Sequence, residues 1–126
     1  DILSFDKYLY NDPTKDNSFV ESCQKQFQIM NEVAKEQNKI MAFAETGYEA
    51  IPYSQWWTDT LMKAMGNFEI SYVLVWRNHG WQEQEKKMHY YAPFKGQTSA
   101  KDFVDFYNLE RIFFGKDASK ENLYNN

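Results

Sequence analysis

One cysteine, Cys23, is all this 126-residue chain contains, so an internal disulfide is excluded. It falls on the apolar side of a predicted helix, where the expected role is a buried, inert thiol. Histidine is equally scarce: His79 and His89 lie ten residues apart, with no ligand-like spacing to a further His or Cys, so no metal or other cofactor is expected. No block of Lys or Arg occurs and the formal net charge is −4, which argues against nucleic acid, whose binding rests on phosphate neutralisation. No run approaches the roughly 20 apolar residues of a membrane span. Glycine numbers only five, and no glycine-rich phosphate loop follows the first strand-like segment, which counts against dinucleotide and nucleoside triphosphate folds. There is no initiator Met or signal peptide, and the chain opens inside a strand-like stretch, Ile2 to Phe5, as a part of something longer would.

Aromatic residues are abundant. Four Trp, nine Tyr and ten Phe make up 18% of a chain that amounts to one domain at most. Tyr and Trp offer apolar faces with one polar tip, which suits sugar rings as well as cores.

The pattern along the chain alternates strand and helix. Ile2 to Phe5 leads to a turn-rich loop, Asn11 to Asn17, and then to a helix predicted from Ser18 to Asn38. Ser18 with Glu21 gives a capping-box signature, and Phe19, Cys23, Phe27, Met30, Val33 and Ala34 form the apolar stripe. Ile40 to Ala44 reads as a buried strand, followed by a helix from Ser54 to Met65 closed by Gly66. Ile70 to Trp76 is the most β-prone stretch. From Arg77 to Gln97 the pattern is a periodless loop with a charged, solvated turn, Glu83 to Lys87. A last helix starts near Ser99 with Phe103, Phe106 and Tyr107 inward, a short helical tail covers Leu109 to Phe114, and Ala118 to Asn126 read as frayed. Such an alternation implies right-handed crossovers and a parallel sheet, in an α/β fold. Three units make less than half of an eight-stranded barrel.

Parallel α/β folds place reactive groups at the C-terminal ends of strands. Here those ends carry Asp6 and Tyr8, then Glu45, then Trp76 with Arg77 and Asn78. Glu45, where an apolar run stops, is the leading catalytic candidate; as an isolated glutamate it would more simply cap a strand end. What raises it is the company of a second acid, a tyrosine to hydrogen-bond it, an aromatic platform and a guanidinium that can fork onto hydroxyls. Polysaccharide cleavage requires such a set. Trp56 and Trp57 are expected in packing. Trp81, in the long loop, fits a sugar-stacking platform and a loop anchor equally well. His79 and His89 are expected to be structural, and Tyr48 and Tyr53 share the rim with Glu45.

The strings Phe5-Asp6-Lys7-Tyr8, Glu45-Thr46-Gly47, Ile70 to Asn78 and His89-Tyr90-Tyr91-Ala92-Pro93 together resemble the C-terminal part of the β-mannanases of glycoside hydrolase family 26, in the family's order and across most of the chain. The resemblance implies a (β/α)8 barrel of which this chain supplies strands six to eight. It implies that Glu45 is the nucleophile of a retaining endo-β-1,4-mannanase, that Tyr8 hydrogen-bonds it, that Asp6 and Arg77 bind glycone hydroxyls, and that Trp76 stacks under the sugar at the cleavage point. The family's acid/base glutamate ends the fourth strand and would lie outside this chain. Glu49, on the nucleophile's own loop, and Glu69, at the base of the last strand, are not placed to replace it. The expected partners are β-mannan and the remaining N-terminal part of the barrel, and the expected address of the parent is extracytoplasmic, since polysaccharides do not enter cells intact. A β-glucanase or β-1,3-xylanase specificity stays open within the family. So does a different class of role, a non-catalytic carbohydrate- or partner-binding piece using Trp76, Trp81 and Arg77.

Overall fold

Strand β1, Ile2–Leu9, sends Phe5 and Leu9 to one face and Ser4, Asp6 and Tyr8 to the other, as the two-residue period of a strand requires. The structure is a computed structural model and describes residues 1–120. Helix α1, Ser18–Gln37, carries the chain back to β2, Ile40–Tyr48, which pairs with β1 in parallel from Ile2 opposite Ile40 to Leu9 opposite Tyr48. The helix buries Phe19, Cys23, Phe27 and Ala34 against the sheet. Val33, expected in that stripe, is 40% exposed: it lies about 100° around the helix from Ala34, beyond the contact arc. The expected capping box is replaced. Asn17 occupies the cap position, Asp16 Oδ1 accepts the Ser18 amide at 2.8 Å, and Glu21 receives the Asn17 side-chain amide instead of returning to a backbone donor. At the other end Asn38 adopts the left-handed conformation (φ 51°) and the next amide, Lys39, bonds back to Ala34 O, which stops the helix.

The second crossover is not a plain helix. A π-helical turn, Trp56–Leu61, runs directly into a single α-turn, α2, Met62–Met65, and Gly66 ends it with φ 53°. Asp102 explains how the wide turn is held, because its carboxylate accepts the amides of Trp57 (2.9 Å) and Thr58 (3.1 Å) and the Thr58 hydroxyl. The third strand, β3, Val73–Val75, is shorter than the seven-residue stretch predicted, although Ser71 N to Met41 O, Phe43 N to Tyr72 O and Trp76 N to Thr46 O extend its bonding to β2 on either side. Its register against β2 slips between Phe43 and Thr46, which interrupts the regular ladder. The sheet order is β1-β2-β3.

The stretch read as a periodless loop contains a hairpin, β4 Gly80–Gln82 and β5 Lys87–His89, whose solvated turn is the Glu83 to Lys86 charge run. Helix α3, Ala100–Tyr107, begins as predicted at Ser99 and buries Phe106, with Phe103 packed alongside, whereas Tyr107 is 41% exposed because the helix turns it outward. The expected helical tail from Leu109 to Phe114 is irregular, and helix α4, Gly115–Lys120, follows it. Residues 118–120 are therefore helical, and the rest of the stretch read as frayed, 121–126, lies outside the described residues.

Two aromatic clusters fill the helix side of the sheet. Phe5, Phe27, Phe43 and Phe68 interlock around α1, with centroids 4.7–5.6 Å apart. Trp56 and Trp57, fully buried as expected, meet in an edge contact, and Trp57 then packs on Phe103 and Phe106. Burying such a ring is worth about 1.5–3 kcal/mol, so these clusters are what fasten the helices to the sheet. Among the described residues the opposite face of the sheet has no such cover. Ile2 and Ile40 side by side, Tyr72 just before β3 and Leu74 within it are exposed there.

Candidate active site

An irregularity in β2 aims the site. Phe5 pairs with Phe43, but Asp6 pairs with Glu45, so one extra residue, Ala44, is inserted in β2. In a regular strand residues 43 and 45 share a face; the bulge sends Phe43 into the helix-side cluster and turns Glu45 to the open face beside Asp6. The predicted strand therefore does not stop at Ala44. It runs on to Tyr48, with Thr46 buried on the helix side and Gly47 opposite Tyr8.

Tyr8 then shares the open face with Asp6 and reaches across to β2. Its hydroxyl donates to Glu45 Oε2 at 2.9 Å. Among the described residues Oε1 of Glu45 accepts no hydrogen bond. Burial, then the hydrogen bond and charge of Glu45, and to a lesser extent Tyr91 and Asp6, push the Tyr8 phenol well above its ordinary value of 10.0. Tyr8 therefore stays a donor to the carboxylate it faces.

At the end of β3, Trp76 is half-buried and Arg77 exposed, the strand being held to β2 by the Trp76 amide. The open face thus gathers Asp6, Tyr8 and Glu45 on adjacent strands, and Trp76 and Arg77 follow directly after the third strand. Trp81 is separate from them, on the exposed face of β4, 55% accessible and opposite Met88. Its indole N–H is spent on Glu83 Oε2 at 2.7 Å, so only the ring is on offer. Glu49, on the loop beyond Glu45, pairs with Lys87 Nζ at 2.8 Å and ties that loop to the hairpin. Hydrogen bonds to Glu49 and Glu85 raise the Lys87 ammonium above its ordinary value. The Cys23 thiol, buried under α1, is pushed up to about 12 and stays a thiol. Among the described residues no three His, Cys, Asp or Glu side chains come together as a metal site would need, and no helix is long and apolar enough to cross a membrane.

Sequence reasoning missed the residues that frame this face. Tyr91, only 9% exposed, lays its ring over Gly47 and meets Tyr8 edge-on at 5.6 Å. Asn78, grouped above with the strand-end binding residues, is consumed in backbone contacts: Oδ1 accepts the amides of Tyr91 and Ala92, both at 2.9 Å, and Nδ2 donates to Ala92 O. Gln97 donates Nε2 to the carbonyls of Ala50 (3.1 Å) and Ile51 (3.0 Å). Those two residues hold left-handed conformations, φ 60° and 43°, unusual for non-glycine residues and most of all for β-branched Ile51. The signals in the sequence were the glycine after Glu45-Thr46 and the string His89-Tyr90-Tyr91-Ala92-Pro93, both quoted above only for the family resemblance. A concavity of about 940 Å3 lies at the opposite end of the strands, around Ile40, Met41, Ile70, Ser71 and Arg111, and contains none of the strand-end residues.

Parallel strands, helical crossovers on one face, and polar and aromatic groups at the C-terminal strand ends define part of a (β/α)8 barrel. No family model matches the chain, and no curated protein sequence does. Solved structures do. The chain is similar to a GH26 β-mannanase from Bacteroides ovatus at 40% identity, covering 93% of this chain and 32% of that one, with a TM-score of 0.79. It is similar to the catalytic domain of a Bacillus GH26 endo-β-1,4-mannanase at 25% identity, covering 98% and 35%, with a TM-score of 0.80. A Muricauda GH26 structure, at 24% identity over 93% and 31% with a TM-score of 0.75, shares the fold. The chain belongs to glycoside hydrolase family 26, and spans about a third of the length of these structures.

Proposed function

We propose that this chain is the C-terminal part of the catalytic barrel of a retaining endo-β-1,4-mannanase acting on mannan or galactomannan. The observation that carries this reading is the 2.9 Å hydrogen bond from Tyr8 to Glu45 Oε2 on the open strand-end face, while Oε1 accepts no hydrogen bond among the described residues. Glu45 attacks the anomeric carbon and forms a glycosyl ester. The bond to the leaving oxygen breaks, and that oxygen takes its proton from an acid on the part of the barrel outside this chain. Water, deprotonated by the same group, then cleaves the ester with retention. Tyr8 steadies the carboxylate before attack and again as it leaves. Asp6 and Arg77 bind glycone hydroxyls, Trp76 is the platform under the sugar at the cleavage point, and Trp81 is an outlying stacking surface. Without the acid/base this chain alone does not hydrolyse mannan at a useful rate. A polysaccharide substrate places the parent protein outside the cytoplasm.

The test compares the full-length protein, its Glu45→Ala variant and this chain alone for reducing ends released from galactomannan. An active parent with both others dead supports the reading. A Glu45→Ala parent that still cleaves at the parental rate overturns it.

A further inference from the structure

Tyr8 is the last but one residue of β1 and is paired with Gly47 of β2, which has no side chain to fix the direction of its ring. Something else must. A half-buried phenol near a strand end has rotamers that point it away from the neighbouring carboxylate, and displacement of a catalytic contact by about 1 Å can cost roughly 100-fold in rate.

The group that walls it in is Tyr91. Its ring occupies the space a Cβ at position 47 would take: an alanine methyl there would sit 2.3 Å from Cδ1 of Tyr91. Gly47 lies inside β2 without a positive φ, so its role is steric, making room for that ring. From this seat Tyr91 meets Tyr8 edge-on, centroids 5.6 Å apart and planes at 67°. On its far side it is backed by His89 at 5.3 Å, also edge-on. Its backbone is clasped by the Asn78 amide, and Ala50 N donates to the preceding carbonyl, Tyr90 O, at 2.8 Å. The ring is thus fixed by contacts from β2, from the turn after it and from the segment beyond β3, all independent of Tyr8.

Resting on the reading of Glu45 as nucleophile and Tyr8 as its partner, we infer that Tyr91 is a positioning residue, seated on Gly47 and held by Asn78, that aims the Tyr8 hydroxyl at Glu45. Tyr91 itself touches no reacting atom in this scheme. Its own hydroxyl, raised by burial and then by Glu49 and Tyr10, stays protonated and serves no acid/base step.

The experiment uses the full-length protein and a manno-oligosaccharide, measuring kcat and KM separately. Tyr91→Leu removes the ring edge and is expected to lower kcat about tenfold or more with KM changed less than about threefold, while Tyr91→Phe recovers most of that loss. In a Tyr8→Phe background, Tyr91→Leu is expected to cost less than about twofold further, because the group it aims is already gone. Gly47→Ala, which pushes the ring without deleting it, should show the same dependence on Tyr8, and it serves if Tyr91→Leu does not fold. Multiplicative losses in the double variant, or a loss confined to KM or to thermal stability, overturn the inference. Glu45→Ala in the same assay separates the two failures. If it is inactive while the Tyr91 and Tyr8 losses multiply, only the positioning role falls; if it is active, the nucleophile reading falls and the positioning role with it.

Discussion

Removing one oxygen atom tests the site most directly. Tyr8→Phe keeps the ring, and with it the edge contact to Tyr91, but deletes the 2.9 Å hydrogen bond to Glu45 Oε2. A hydrogen bond to a charged group contributes about 1.5–3 kcal/mol. If that stabilisation is felt in full as the carboxylate attacks and is later expelled, about 1.4 kcal/mol per decade converts it to roughly a 10- to 150-fold fall in kcat/KM. The loss should sit mainly in kcat, because the phenol touches the carboxylate rather than the sugar. The assay is steady-state hydrolysis of a manno-oligosaccharide by the full-length protein, repeated with an aryl mannoside whose leaving group needs no acid. Both substrates should slow, since in the proposed mechanism both need the carboxylate. A Tyr8→Phe protein within about twofold of the parent on both, well inside the value of one such bond, would refute the reasoning.

The Tyr8 phenol is held above 10.0 by burial and by Glu45, so it remains a donor throughout the working range. The wild-type and Tyr8→Phe pH profiles should therefore run parallel up to that pH, and curves that converge below it would show the hydroxyl titrating earlier. The sign for stability is the same: the folded chain holds this proton more tightly than the unfolded one, a contribution present below pH 10 and lost as pH rises through the folded value. Asp102→Ala strands the Trp57 and Thr58 amides at the mouth of the π-turn, and should lower unfolding free energy by about 1–3 kcal/mol, read as a reduced urea midpoint at unchanged slope. This chain produced alone exposes Ile2, Ile40, Tyr72 and Leu74 on one sheet face between two open strand edges, so it should self-associate. Sedimentation of a monodisperse monomer that melts cooperatively would contradict that.

Much of this architecture was legible along the chain. The stripe Phe19, Cys23, Phe27, Ala34 has helical spacing whatever surrounds it, and the apolar run from Ile40 can be satisfied only by a strand covered on its helix side. That Asp6, Tyr8 and Glu45 lie toward the C-terminal ends of adjacent strands was legible too, although β1 and β2 run past the predicted ends at Phe5 and Ala44, to Leu9 and Tyr48. Val33, Tyr107 and the Leu109 to Phe114 segment went astray for one reason: apolar residues near a stripe are pulled in or left out by neighbours that periodicity does not show. The hairpin escaped notice because two three-residue strands give too few alternations to register.

Legible from the residues alone, then, were the order of the first three strands and of the helices between them, the buried thiol and the likeness to family 26, since each depends on local spacing or on motifs in order. The tertiary structure alone decided which way the strand-end residues face. A one-residue bulge at Ala44, opposite a regular β1, reverses Glu45 relative to Phe43, and it exists only when two strands are paired. The seat of Tyr91 on Gly47 joins residues 44 positions apart, and the Asp102 clasp on the π-turn joins residues 45 apart. Contacts of that span carry no periodic signal, because their energy comes from packing and hydrogen bonds formed after the chain has closed on itself.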